Sequence, residues 1–179
     1  MVAVDAIIDD IFRREGWPQV TNRSADRGSW TKGGITLPTL ARYRGRPVTV
    51  DDLRALTVEE ARAIYQHDHV APWINLVKRH ERLLALVVDY AVTSGPDDPT
   101  SAFQKALGLP VDGVLGPKTR AAIMAADLST LYQAVYRHRQ AKFLKLALDE
   151  PATRAYLKAN PAAQLHNLRG WLNRLAECA

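Results

Sequence analysis

Residues 4–18 read Val4-Asp5-Ala6-Ile7-Ile8-Asp9-Asp10-Ile11-Phe12-Arg13-Arg14-Glu15-Gly16-Trp17-Pro18, an amphipathic helix followed by the residues that stop it. Val4, Ile7, Ile8, Ile11 and Phe12 recur at the three-and-four spacing of one helix face, and the next position on that face is Glu15. A carboxylate stands where a hydrophobe is expected. A carboxyl group partly stripped of water holds its proton more tightly, a condition that enzymes use to keep a general acid protonated near neutral pH. Arg13 and Arg14 adjoin Glu15, so a solvated ion pair at the helix end is the plain alternative.

The residues that follow shift the balance toward chemistry. Positions 16–36 are rich in turn formers and β-branched residues and lack a helical stripe, which predicts a loop or small β-hairpin, where functional groups tend to be displayed. This stretch carries a second carboxylate, Asp26, hydroxyls at Thr31 and Thr36, and glycines at 28, 33 and 34 that permit close backbone approach. A helix-end Glu followed by a hairpin bearing Asp and Thr suits cleavage of a glycosidic bond. One carboxylic acid protonates the leaving oxygen, and a second polar group stabilises the oxocarbenium-like transition state or positions a water. Trp17 and Trp30 bracket the Asp26 loop and offer π-faces to sugar rings.

Arg14-Glu15-Gly16, then Asp26-Arg27-Gly28 through Thr31-Lys32-Gly33-Gly34-Ile35-Thr36, resembles the opening of glycoside hydrolase family 108, lysozyme-like proteins of phages and bacteria that include endolysins. Farther on, Asp89-Tyr90-Ala91-Val92-Thr93-Ser94-Gly95-Pro96, Phe103-Gln104-Lys105-Ala106-Leu107-Gly108 and Val111-Asp112-Gly113-Val114-Leu115-Gly116-Pro117-Lys118-Thr119 are similar to the predicted peptidoglycan-binding domain that accompanies it. The resemblance implies a mainly α, lysozyme-like helical fold with a small β-hairpin or loop element after the first helix. It makes Glu15 the catalytic acid, with Asp26, Thr31 and Thr36 assisting, and implies wall contacts at Tyr90, Ser94 and Asp112. Three positions depart from the family pattern: Trp17 replaces the second Gly of Glu-Gly-Gly, the loop from Glu15 to Asp26 is slightly longer than usual, and Thr93 replaces the Asn before Ser-Gly.

The implied activity is that of a muramidase cleaving peptidoglycan between N-acetylmuramic acid and N-acetylglucosamine. A lytic transglycosylase acting on the same bond is the nearest alternative, because one acid/base Glu suffices when the substrate's own hydroxyl closes an anhydro ring. An inactive wall-binding protein is the alternative from another class. The catalytic part is expected over residues 1–92 and the binding part over 93–179, packed as one body.

The rest of the chain reads as helical. Thr36-Leu37-Pro38 opens a helix that ends at Gly45-Arg46-Pro47, and Thr57-Val58-Glu59-Glu60 predicts a capping box on a helix running to about His67. Pro72 is expected to interrupt the pattern. A long helix around Leu83 to Ala91, apolar on nearly all sides, should be buried, and it stops at Ser94-Gly95-Pro96. Shorter helices follow over about 99–107 and from Gly116-Pro117, then a longer one over 128–148, and a last one including Leu165, Leu168, Trp171, Leu172 and Leu175. Tyr43, Tyr65, Trp73 and Tyr90 fall at core spacings.

With 179 residues and 47% hydrophobic content, the chain can bury a substantial core. No apolar run approaches a membrane span, so stable membrane insertion is not expected. The net charge of +5 favours an anionic partner, yet no zinc-finger spacing, RNP signature or recognition helix points to nucleic acid, and Arg137, His138, Arg139, Lys142 and Lys145 read as a solvated helix face. The expected partner is bacterial peptidoglycan, bound by a monomer. His67-Asp68-His69 lacks the spacing of a metal site, so no metal and no cofactor are expected. The N-terminus carries Asp5, Asp9 and Asp10 rather than a basic n-region, and Cys178 has no disulfide partner. Synthesis in the cytoplasm is expected, with delivery to the wall by lysis, a holin-like pore or a larger particle.

Overall fold

A computed structural model of the chain describes residues 4–22 and 30–148. It is mainly helical with a small sheet after the first helix, the expected class. Asp26, Cys178 and the predicted last helix lie outside the described residues. The chain divides into two compact units, Met1–Pro72 and Trp73–Ala179.

In the first unit, α1 (Val4–Arg14) buries Ile8, Ile11 and Phe12, the apolar stripe that defines it. Three short strands follow, β1 (Val20–Asn22), β2 (Trp30–Lys32) and β3 (Ile35–Thr36), antiparallel in that order. Thr36 ends the sheet and caps α2 (Leu37–Arg44), its side chain accepting from Thr39 N while Pro38 sits in the first turn; Gly45 closes the helix in the left-handed region. α3 (Val50–Arg54) opens with a reciprocal capping box between Thr49 and Asp52. α4 (Val58–Tyr65) is capped by Thr57, whose hydroxyl accepts from Glu60 N. The reciprocal half of the box expected here is absent. The Glu60 carboxylate instead accepts both prongs of the Arg44 guanidinium, at 2.7 Å each, because a bidentate charge-assisted pair outcompetes a single backbone amide. Arg44 also donates to Asp52 at 2.8 Å, tying α2, α3 and α4 together.

Pro72 does not interrupt the helical path. A π-turn, Gln66–Val70, leads from α4 into α5 (Ala71–Val77), with the Ala71 amide reaching back five residues to Gln66 O, and Pro72 falls in the first turn of α5, where no amide donor is needed. A two-pronged ion pair from Arg42 to Asp68, at 3.1 and 2.7 Å, pins the π-turn to α2. Asp68 also meets His67 Nδ1 at 2.8 Å, and the described residues hold no group of three or more metal-ligating side chains.

The guanidinium hydrogen bonds hold the Asp68 and Glu60 carboxyls below their ordinary range, against an opposing push from partial burial. A depressed carboxylate pKa contributes stability that is present above the unfolded value, about 4, and is lost as pH falls through the folded one. The melting-temperature gap between wild type and an Asp68→Asn/Glu60→Gln double variant should therefore be open at pH 7 and narrow as pH falls from about 4 through the lower folded values. A gap that does not narrow at all below about pH 4 would show that packing, not charge, accounts for it.

The second unit is built on α6 (Glu81–Ser94), whose residues Leu83, Leu84, Leu86, Val87, Val88, Asp89, Tyr90 and Ala91 are all buried, as an all-round apolar helix requires. α7 (Asp97–Ala106) and α9 (Leu128–Leu148) pack on it, with α8 (Pro117–Ala125) against α7. The basic run on α9 is the solvated face that its sequence suggests only at Arg137 and Lys145, which are exposed. Arg139 is wholly buried and paired with buried Asp89, its guanidinium lying over the Tyr90 and Phe143 rings at 5.4 and 5.1 Å; Lys142 pairs with Asp98, and His138 Nδ1 meets the Tyr90 hydroxyl at 3.2 Å. No helix among the described residues is long and apolar enough to cross a membrane.

Candidate active site

The end of α1 is a Schellman motif. Gly16 lies in the left-handed region at φ 74°, and the Trp17 amide donates back to Phe12 O at 2.9 Å, the six-to-one bond that closes such a cap. The apolar contact that accompanies the motif is present as well: the Trp17 indole stacks on Phe12 with centroids 5.0 Å apart and planes at 19°. Arg-Glu-Gly-Trp is therefore a helix stop in which Trp17 is the clamp and Glu15 the C-cap, its amide donating to Ile11 O at 2.8 Å. Negative charge at a helix C-terminus faces the negative end of the macrodipole, a cost of about 0.3–1 kcal/mol. Half-buried Glu15 is thus not placed for helix stability. Arg13 and Arg14 both reach Asp10 in the preceding turn.

Against this cap stands the hairpin between β2 and β3. Lys32 pairs with Ile35, leaving Gly33 and Gly34 as a two-residue turn with φ 53° and 79°, both positive as a type I′ turn demands. Space demands glycine independently. A Cβ on Gly33 would lie 2.6 Å from Trp17 Cε3, and one on Gly34 would lie 2.6 Å from Tyr65 Oη and 3.4 Å from Glu15 Cγ. Tyr65, at the end of α4, donates its hydroxyl to Gly33 O at 2.9 Å and meets Phe12 edge-on at 5.2 Å. Burial, and secondarily the nearby Glu15 charge, push the Tyr65 hydroxyl well above its usual range, so it remains a proton donor. The Glu15 side chain is thereby lodged beside a glycine turn that a buried tyrosine holds in place.

Gly34→Ala should displace Tyr65 or Glu15 and reduce glycan cleavage at least tenfold, beyond the strain of about 1–2 kcal/mol that any left-handed alanine carries. Gly45→Ala is the control, since Gly45 has φ 65° but nothing within 4 Å of its Cβ position. Equal activity losses in the two variants would refute the role assigned to the contact.

The strand register aligns three threonines across the sheet. Thr31 pairs with both Thr21 and Thr36, and its hydroxyl lies 3.0 Å from that of Thr21. Thr36 is engaged as the α2 cap. On the opposite face of β2, Trp30 has Arg54 over its ring at 5.5 Å, while buried Lys32 donates to Arg54 O at 2.6 Å and Leu56 O at 2.7 Å and lies over the Trp17 ring at 5.1 Å. Lys32 thus satisfies the carbonyls at the end of α3. Glu15, Trp17, Trp30, Thr31 and Thr36 all belong to the first unit, and Asp26 lies outside the described residues.

Tyr90, Ser94 and Asp112 belong to the second unit. Tyr90 is fully buried. Ser94 ends α6, half-buried. Asp112 shapes a loop: its Oδ1 accepts from Gln104 Nε2 at 2.6 Å and Val114 N at 2.8 Å, which draws its carboxyl below the usual range. Gln104, 2% exposed, also donates to Val114 O at 3.1 Å and accepts from the amides of Asp112 and Gly113 at 3.1 and 3.0 Å. The Gln…Asp-Gly…Gly-Pro…Thr pattern therefore encodes a loop organised by one buried amide. Sequence reasoning missed the hydroxyl of Tyr65 and the roles of Gln104 and Lys32, all of which act across at least eight residues of chain.

Residues 8–95 match the family model Glycosyl hydrolase 108, and residues 98–176 match the Predicted Peptidoglycan domain. Comparison with curated proteins finds no match. Among solved structures, SagA of Brucella abortus superposes with a TM-score of 0.68 at 24% identity, covering 98% of this chain and 90% of that one, a likeness of fold.

Proposed function

Residues 8–95 belong to the glycosyl hydrolase 108 family and residues 98–176 to the predicted peptidoglycan domain, and from that premise we propose that the chain is a muramidase with Glu15 as its general acid. The pairing makes it a glycoside hydrolase acting on peptidoglycan. The observation that carries the finer reading is the lodging of Glu15, at a helix C-cap where a carboxylate opposes helix stability, against a glycine turn fastened by Tyr65. Such a group protonates the bridging oxygen between the amino sugars as the bond breaks, and Asp26, with Thr31 or Thr36 assisting, stabilises the oxocarbenium-like centre or orients the attacking water.

Digestion of purified peptidoglycan, followed by borohydride reduction and mass spectrometry, tests this reading. Reducible N-acetylmuramic acid ends are expected, each carrying the mass of one added water. Anhydro ends would reassign the chain to the lytic transglycosylases, and sedimentation with the wall without released fragments would leave a wall-binding protein.

A further inference from the structure

The packing of α7 against α9 is shaved by alanines. Ala102 and Ala106 on α7 face Ala134 and Ala141 on α9, and between them lies a groove of about 340 Å³ whose remaining walls are Lys105, Arg137 and His138. That volume is within the range of small-ligand sites. Neither Lys105 nor Arg137 has a hydrogen-bond or ion-pair partner among the described residues, whereas the neighbouring charges are engaged: Lys142 with Asp98, and His138 with the Tyr90 hydroxyl at 3.2 Å. Burial and the Lys105 charge lower the His138 pKa, keeping the imidazole neutral near pH 7, so the positive charge of the rim comes from Lys105 and Arg137. The groove is a methyl-lined floor beneath two uncommitted cations.

These walls discriminate between the two halves of peptidoglycan. Sugar rings are gripped by exposed aromatic faces, and among the described residues no Trp, Tyr or Phe lines the groove. Peptide stems, by contrast, carry free carboxylates and the methyl side chains of alanine. We propose that the α7–α9 groove binds the peptide stem of peptidoglycan, with stem carboxylates at Lys105 and Arg137 and an alanine methyl against Ala102, Ala106 and Ala134. The inference rests on the peptidoglycan reading of residues 98–176 and is independent of Glu15.

Calorimetric titration of the full chain with the synthetic pentapeptide L-Ala-γ-D-Glu-L-Lys-D-Ala-D-Ala is the test, run beside Lys105→Ser/Arg137→Ser and Ala106→Trp, all checked by circular dichroism. Wild type should bind, and both variants should bind at least tenfold more weakly, the first through lost charge and the second through a filled groove. Cleavage of a peptide-free glycan chain should be the same in all three. No binding by wild type, or binding unchanged in either variant, overturns the proposal. A loss confined to the charge variant, with wall teichoic acid displacing the peptide, would also overturn it in favour of diffuse attraction to polyanions. Failure of wild type to cleave peptide-free glycan, with peptide binding intact, would count against the reading of Glu15 and leave the groove standing.

Discussion

Glu15→Gln should lower the rate of glycan cleavage about 10²–10⁴-fold, the usual contribution of a general acid, while leaving KM nearly unchanged. The substitution is close to isosteric, and the backbone cap and the ring stack beside position 15 are independent of its charge. The Schellman bond from Trp17 N to Phe12 O is backbone alone, the clamp is the stack of Trp17 on Phe12, and the turn opposite is fastened by Tyr65 to Gly33 O. Removing negative charge from a helix C-cap relieves an unfavourable dipole interaction of about 0.3–1 kcal/mol, so the variant should stay folded with a melting temperature within a few degrees of wild type. Lost activity joined to unchanged or raised stability is the signature of a residue retained for chemistry at a cost to the fold. Cleavage within a few-fold of wild type would remove Glu15 from the mechanism, and a large drop in melting temperature would make the activity loss a folding effect.

What could be read from the sequence was whatever is decided within about one helical turn. The stripe from Val4 to Phe12, the stop at Gly16, the Thr36 and Thr57 caps and the Gly116-Pro117 start each depend on neighbours three or four residues away, and each is present. The misreadings share a different physics. The Glu60 side chain was expected on its own helix cap, but Arg44, sixteen residues earlier, offers it two charge-assisted bonds. Pro72 signals a break by its missing donor, yet a π-turn ahead of it makes that donor unnecessary, and nothing in hydrophobic periodicity announces a π-turn. The stack of Trp17 on Phe12 is likewise beyond local pattern, since it forms only once Gly16 folds the chain back. Glu15 itself stood out early because it broke a local pattern, whereas the residue that fixes its surroundings, Tyr65, fits its own helix without any anomaly.

The second unit carries the largest expected stability effect. Asp89 and Arg139 are 3% and 0% exposed, fifty residues apart in sequence, and joined by an ion pair that links α6 to α9. Asp89→Leu leaves a guanidinium buried between the Tyr90 and Phe143 rings without its carboxylate, a loss on the order of 3–5 kcal/mol. For a chain of this size that corresponds to a fall in melting temperature of roughly 10 °C or more. Arg139→Met should cost a similar amount by removing the guanidinium that pairs with the buried carboxylate. The double variant Asp89→Leu/Arg139→Met should be far more stable than the sum of the singles, because burying two apolar side chains avoids the desolvation of two charges that the native pair must offset. A coupling of several kcal/mol in this thermal-melt cycle is the expected outcome. Additive losses would mean that each side chain acts through its own packing, Arg139 on the two rings and Asp89 on α6, and that the ion pair contributes little to joining the helices. Either result also bears on how the sequence is read, since the same Arg139 that looks like one more exposed charge on a basic helix is the group around which that helix is anchored.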